Sequence, residues 1–422
     1  MSPSRLRQRP LVPVVLFLMI GAVIALRTAR NLNVPGHPEL PGYGLHDFRD
    51  VLYYPAVAVL DGRNPYDPAV FRSAYPVARP LAPYAPTMLM LHVPFALLPF
   101  PLAEWTHFAM NLTLMLALAY LALDACGLPV AAAGVFGLGA VILLSRPAHM
   151  TLYIGQSSAY LVAATYCALL FAERRPALAG VALAIACAKP TFGIPLCAVL
   201  LVRGDRAALV WGLTLAAVAG AVMVAVLAPA AGGLAPLVES IRDSYARLMQ
   251  DPSANAASSI IRVDAVALVG RLLGGTVGPA AESLATLALL ATGTAAVWRI
   301  SCAGDADARL RSACVACVTI LACMYHQSYD GLLLTLPMLA LASGRLGDAP
   351  VTRLVAFVAM SVPALNYVAT DTVVDALGVQ GTARAVIGSV NGAALLVAFV
   401  AVTMLAVSRR GVARPLVADV AG

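Results

Sequence analysis

Residues 173–206 read ERRPALAGVALAIACAKPTFGIPLCAVLLVRGDR, from Glu173 to Arg206. Two apolar runs, 176–188 and 191–202, lie between two short basic loops, Arg174-Arg175 and Arg203 to Arg206. Neither run has the polar face of a helix on a soluble core, and neither alternates like a strand. Paired arginines in short loops are the mark of the cytoplasmic side of a membrane protein. With both loops on one side, the chain between them must turn back near Lys189-Pro190. Each run is shorter than the roughly 20 residues of a free-standing span, so both fit a bundle in which neighbouring helices bury them.

The rest of the chain has the same texture. Of 422 residues, 61% are hydrophobic and 12% charged, about half the charged share of an ordinary soluble domain. Mean hydropathy is +0.85. That leaves too little polar surface for a soluble enzyme and too much apolar content for a disordered chain. Further apolar runs lie at 10–27, 104–124, 128–145, 156–172, 207–228, 277–298, 312–325, 331–343, 351–367 and 386–407. Together they predict an all-α, polytopic membrane helix bundle of about 10–12 transmembrane helices, as one domain over 1–422. Two long outer loops interrupt it, 28–103 and 229–276. Segment 86–100 is apolar but broken by Pro86, Pro94 and Pro99, so it reads as a short re-entrant or interfacial piece, with a true span as the alternative.

The chain carries 27 arginines, one lysine (Lys189) and a net charge of +7. Pairs recur in short loops, Arg309 with Arg311 and Arg409 with Arg410, and no arginine falls deep inside an apolar run. Arg5, Arg7 and Arg9 precede the first run, which places both termini inside. That run reads as a signal peptide or a retained helix. Arg27 and Arg30, with no small-residue cleavage pattern, favour the helix. Scattered arginines without interleaved aromatics report topology and anionic headgroups rather than nucleic acid. Of eight cysteines, Cys314 and Cys317 form a C-x-x-C inside an apolar run, where packing is the expected role. No metal-ligand cluster is evident. No repeat relates the two halves, which counts against an inverted-repeat transporter.

Charge counting places four polar features on the outer face. The first runs from His46-Asp47-Phe48-Arg49-Asp50 through Tyr53-Tyr54 to Asp67. Asp50, Tyr53, Tyr54 and Val57 have helical spacing, and Gly62 and Pro65 end the helix. A juxtamembrane amphipathic helix at the outer surface is expected. Its plain reading is solvated carboxylates with anchoring tyrosines. The second is His326-Gln327-Ser328-Tyr329-Asp330, an ionisable pair at a turn in an apolar bundle, which needs either mutual pairing or a wet cavity. The third is Lys189-Pro190-Thr191, where the ammonium either snorkels or meets a phosphate. The fourth is Gly155-Gln156-Ser157-Ser158, which either caps a helix or touches a polar ligand.

The order of these segments resembles glycosyltransferase family 87, polyprenyl-phosphate-mannose-dependent mannosyltransferases and their relatives with the GT-C fold. The wording that carries the likeness is Leu60-Asp61-Gly62-Arg63-Asn64-Pro65-Tyr66-Asp67, then Pro94-Phe95-Ala96-Leu97-Leu98-Pro99, Gly155-Gln156, Lys189-Pro190-Thr191 and Tyr325 to Asp330. The resemblance implies an acidic catalytic residue on the first outer loop beside a groove for a lipid donor. Asp50 is the first choice and Asp47 the alternative, because the stretch before Tyr53-Tyr54 does not align uniquely with the family's Asp-x-x-x-Tyr wording. It implies that His326 shares or supplies the base role. It further implies that Lys189, with Arg247 or Arg262, meets the departing phosphate, and that Gln156, Tyr53, Tyr54 and Asp330 contact substrate. Ser157 and Ser158 stand where an Asn is expected, so sugar recognition would differ.

The expected activity is inverting transfer of a hexose, with mannose first, from a polyprenyl-phosphate-linked sugar donor to a lipid or glycan acceptor. It takes place at the outer face of the bacterial inner membrane, among membrane lipid and without a cofactor. The alternative is a transporter or flippase for a lipid-linked saccharide.

Overall fold

The computed structural model describes residues 11–32, 43–79, 82–275 and 277–408. Arg5, Arg7, Arg9, Arg409 and Arg410, on which the placement of both termini rests, lie outside them. The described residues are helical, and they contain no strand beyond two isolated bridges.

The apolar runs are helices, and prolines punctuate them. Pro176–Cys187, Pro190–Arg203, Pro279–Ala303 and Pro350–Leu365 each begin on proline, whose fixed φ and missing N–H suit a first helical position. Five helices are long and apolar enough to cross a membrane: Leu11–Arg30, Phe100–Ala125, Arg206–Ala230, Pro279–Ala303 and Gly381–Ser408. Ala132–Leu143 and Arg146–Ile154 add a sixth if counted as one span, bent by 77°. The shorter apolar helices, such as Ser158–Phe171 and Pro176–Cys187, complete the multi-pass bundle.

Burial separates a lipid-facing shell from a centre. Only 17% of the most apolar window of Arg206–Ala230 is covered by protein. In Ala308–Cys323 every residue but Arg309 is buried. Its small Ser312, Ala313, Cys314, Ala316 and Cys317 let neighbouring helices approach closely. All eight cysteines are free, and Cys314 and Cys317 are packing residues at the centre.

The short charged loops meet at one end of the bundle. Arg203 pairs with Asp205 at 2.9 Å, Arg309 with Glu173 at 2.5 Å, and Arg345 with Asp307 at 3.6 Å. Arg311 pairs with Asp305.

The two long loops depart from expectation. Phe48–Tyr53 is one π-helical turn and Tyr54–Leu60 an α-helix, with Gly62 at φ 65° just beyond it. Instead of presenting solvated carboxylates and anchoring tyrosines, residues 48–53 are all buried within the protein, as are Pro55, Ala56, Ala58 and Val59. Pro86–Ala96, the proline-broken segment, and Phe100–Ala125 pack against them. The wider π register also turns Tyr53 away from the face expected for Asp50, Tyr53 and Tyr54. The second loop holds two helices, Leu234–Gln250 and Ala265–Leu273.

Candidate functional site

A cavity of about 510 Å³ opens where Pro176–Cys187 turns into Pro190–Arg203, the end away from the ion-paired loops. Asp47, Val51, Arg79 and Tyr84 of the first long loop form one wall. Ile241, Arg242, Tyr245 and Leu248 of helix Leu234–Gln250 form another, continued by Asp251 and Ser253. Gln156, Lys189 and Thr191, with Met324, Tyr325, Gln327 and Tyr329, close it. All four polar features of the sequence therefore reach one space.

Asp47 is seated by backbone geometry. Helix Arg146–Ile154 ends at Gly155 in the left-handed region, φ 75°. A Cβ there would stand 2.6 Å from Phe48 Cβ, so only glycine lets residues 45–48 rest against this turn. The Leu45 N–H donates to Tyr153 O at 2.8 Å, and Leu45 itself has φ 52°, a strained conformation for a non-glycine residue. The Gln156 amide donates to Asp47 Oδ2, while Gln156 Oε1 accepts from the Tyr84 hydroxyl at 2.9 Å. Asp47 Oδ1 lies 3.0 Å from His46 Nδ1. Burial pushes the Asp47 carboxyl up, but His46, Arg79 and the Gln156 amide outweigh it and hold the group below its ordinary value.

Asp50 lies behind Asp47, has no exposed surface and is not in the cavity lining. Its Oδ2 accepts from the Ala78 and Arg79 N–H groups at 3.0 and 2.8 Å and stands 3.6 Å from His46 Nε2. Burial raises this carboxyl above its ordinary value, against the pull of His46 and the Arg79 N–H. Two carboxylates three residues apart are thus pushed in opposite directions.

The turn at Lys189 carries a second charged group. Lys189 Nζ donates to Asp330 Oδ2 at 2.7 Å, His326 Nδ1 meets the same oxygen at 2.9 Å, and Ser158 Oγ donates to Asp330 Oδ1 at 2.7 Å. Lys189 reaches the cavity wall between the rings of Phe192 and Tyr329, at 5.1 and 5.4 Å. Asp330 and His326 lie behind it, with no exposed surface. The Arg262–Gln327 bridge pins this segment: the Val263 N–H donates to His326 O at 3.0 Å, and the Ser328 N–H to Ile261 O at 2.8 Å.

Other expected residues fall elsewhere. The Tyr53 hydroxyl donates to Leu98 O at 2.8 Å, and Tyr54 stacks on Phe100, so neither lines the cavity. Arg262 is buried and forked onto Asp264 at 2.9 and 2.8 Å. Arg247 is exposed and outside the lining. The arginines in the lining are Arg79 and Arg242. Capping is not the role of these residues: Ser157 is the N-cap of Ser158–Phe171 but makes no side-chain cap bond, and Gln156 and Ser158 bond to Asp47 and Asp330. His46, Arg79 and Tyr84 were missed. Arg79 and Tyr84 lie in an irregular stretch with no period to betray them. Arg242 had a signal, since Leu237, Ile241, Ser244 and Leu248 recur at helical spacing.

These features define an integral membrane protein with a cavity lined by both charged groups and apolar side chains. Residues 83–325 match glycosyltransferase family 87, and the chain belongs to that family; it is a membrane glycosyltransferase. No curated protein and no solved structure matches it. The family match spans Gln156 and Lys189 but leaves Asp47, Asp50 and His326 outside its limits.

Proposed function

We propose that the protein moves a hexose, with mannose as the first candidate, from a polyprenyl-phosphate donor to a lipid or glycan acceptor within a GT-C-like domain. The carrying observation is the convergence of Asp47, Gln156, Lys189, Arg79 and Arg242 on one cavity with apolar walls at Val51, Ile241, Leu248 and Met324. The polar groups suit a sugar phosphate and the apolar walls suit the first units of its lipid.

In this reading Asp47 is the general base, because it is the first-loop carboxylate that faces the cavity. Asp50 is a positioning residue that holds the Arg79 backbone. The acceptor hydroxyl attacks the anomeric carbon and Asp47 takes its proton. The new C–O bond forms as the bond to the phosphate oxygen breaks, and the electron pair leaves with the polyprenyl phosphate. One displacement inverts the anomeric carbon. A bound phosphate brings negative charge near Asp47 and raises its basicity when the donor is in place. Lys189 stabilises the departing phosphate as a point charge, and Arg79 and Arg242 draw the donor in. Asp330 and His326 keep Lys189 oriented, and Gln156 and Tyr84 are placed to meet sugar hydroxyls. The ion-paired loops then face the cytoplasm and the cavity faces outward from the inner membrane.

The test is incubation of the purified protein in liposomes with labelled polyprenyl-phosphate mannose and a glycolipid acceptor, followed by analysis of the product. A glycoside of inverted anomeric configuration supports the reading. Translocation of intact donor without a new glycosidic bond would instead establish a flippase.

A further inference from the structure

We propose that His46 is a positioning residue for Asp47, orienting its carboxylate and tying its charge to the buried Asp50. The inference rests on the reading of Asp47 as the base. His46 is 5% exposed; its Nδ1 lies at hydrogen-bond distance, 3.0 Å, from Asp47 Oδ1, and its Nε2 faces Asp50 Oδ2 at 3.6 Å. With the Gln156 amide on Oδ2, each Asp47 oxygen then has its own partner, and the carboxylate plane is fixed. The strained Leu45, anchored on Tyr153 O, precedes His46 and sets the angle at which the ring enters. Asp50 is anchored in turn by the Ala78 and Arg79 N–H groups, so the row Asp50–His46–Asp47 leads from a rigid interior to the cavity wall.

Several groups act on Asp47. His46 belongs to its own segment, with Asp50 beyond it. Arg79 and Tyr84 approach from the loop before Pro86–Ala96, Asp251 from the end of Leu234–Gln250, and Tyr329 from the turn after Ala308–Cys323. His46 is the one that touches Asp47 and also faces a second carboxylate. When Asp47 takes the acceptor proton, the imidazole keeps the carboxyl aimed at the cavity, with Asp50 facing its far nitrogen.

Two amide replacements divide the contacts. The His46→Asn amide reaches the place of Nδ1 and keeps the bond to Asp47. The His46→Gln amide reaches the place of Nε2 and keeps only the side toward Asp50. Both are assayed in liposomes with labelled donor across pH, beside Asp47→Asn. His46→Asn is expected to lose about tenfold in kcat and His46→Gln about a hundredfold, the range for groups that orient an active-site ligand. The donor KM should change little in either. The acid limb of kcat/KM should move to higher pH, further in His46→Gln, because the depressing contact is lost. Equal losses in the two variants, or an unmoved acid limb in both, overturn the role of His46. Wild-type transfer by Asp47→Asn overturns instead the reading on which it rests. If His46→Gln does not insert, infrared titration of the Asp47 carboxylate in His46→Asn against wild type decides. A higher midpoint in the variant supports the role and an unchanged one overturns it.

Discussion

The two ends of the bundle use charge differently. At one end Arg203, Arg309, Arg311 and Arg345 are matched with Asp205, Glu173, Asp305 and Asp307, and the loops are tied to one another. At the other end Asp47, Lys189, Arg79 and Arg242 face a cavity, and the partners of Asp47 and Lys189, His46 and Asp330, lie beside or behind them. Charges that meet one another hold architecture together. Charges anchored from behind and presented to an open space remain available to a ligand. Lys189, bonded to the buried Asp330 and reaching the cavity wall, is the clearest case of the second kind.

Substitutions should separate the ends. Asp47→Asn should lower kcat about 10²–10⁴-fold, the range for loss of a general base, with insertion unchanged by fluorescence size-exclusion. Lys189→Ala leaves Asp330 buried without its ammonium and should destabilise the fold by about 3–5 kcal/mol, read as loss of thermal stability in detergent. Arg79→Gln and Arg242→Gln should each raise the donor KM by about tenfold, the worth of one charge-assisted contact, with little change in kcat. The pH dependence follows from the lowered Asp47 carboxyl. The free enzyme needs it ionised, so kcat/KM should stay level as pH falls and decline only below about pH 4, the ordinary range for Asp. At the ion-paired end Arg309→Gln should cost less than about 1 kcal/mol and leave transfer unchanged in the same assay. A loss of activity there as large as that of Arg79→Gln would erase the distinction between the ends.

The membrane bundle was legible because apolar runs and prolines mark helices without reference to tertiary structure, as at Pro176, Pro190 and Pro350. The first long loop was not. Its burial depends on Pro86–Ala96 and Phe100–Ala125 folding over it, and its π turn changes which residues share a face. Gln156 and Lys189 were legible as polar residues at turns, but their partners were not, since pairing across 109 and 141 residues leaves no local pattern. The sequence put Asp50 before Asp47; the proposed reading reverses that order on exposure to the cavity, a tertiary property that spacing does not carry.

If transfer occurs at the cavity with Asp47 as the acting carboxylate, Asp47→Asn and Asp50→Asn should part company in initial rates of hexose transfer, measured side by side in the same liposomes with labelled donor. Asp47→Asn is expected to fall by at least about a hundredfold, while Asp50→Asn keeps a measurable fraction of wild-type rate. Transfer near the wild-type rate by Asp47→Asn, with Asp50→Asn inactive, would remove Asp47 from that role.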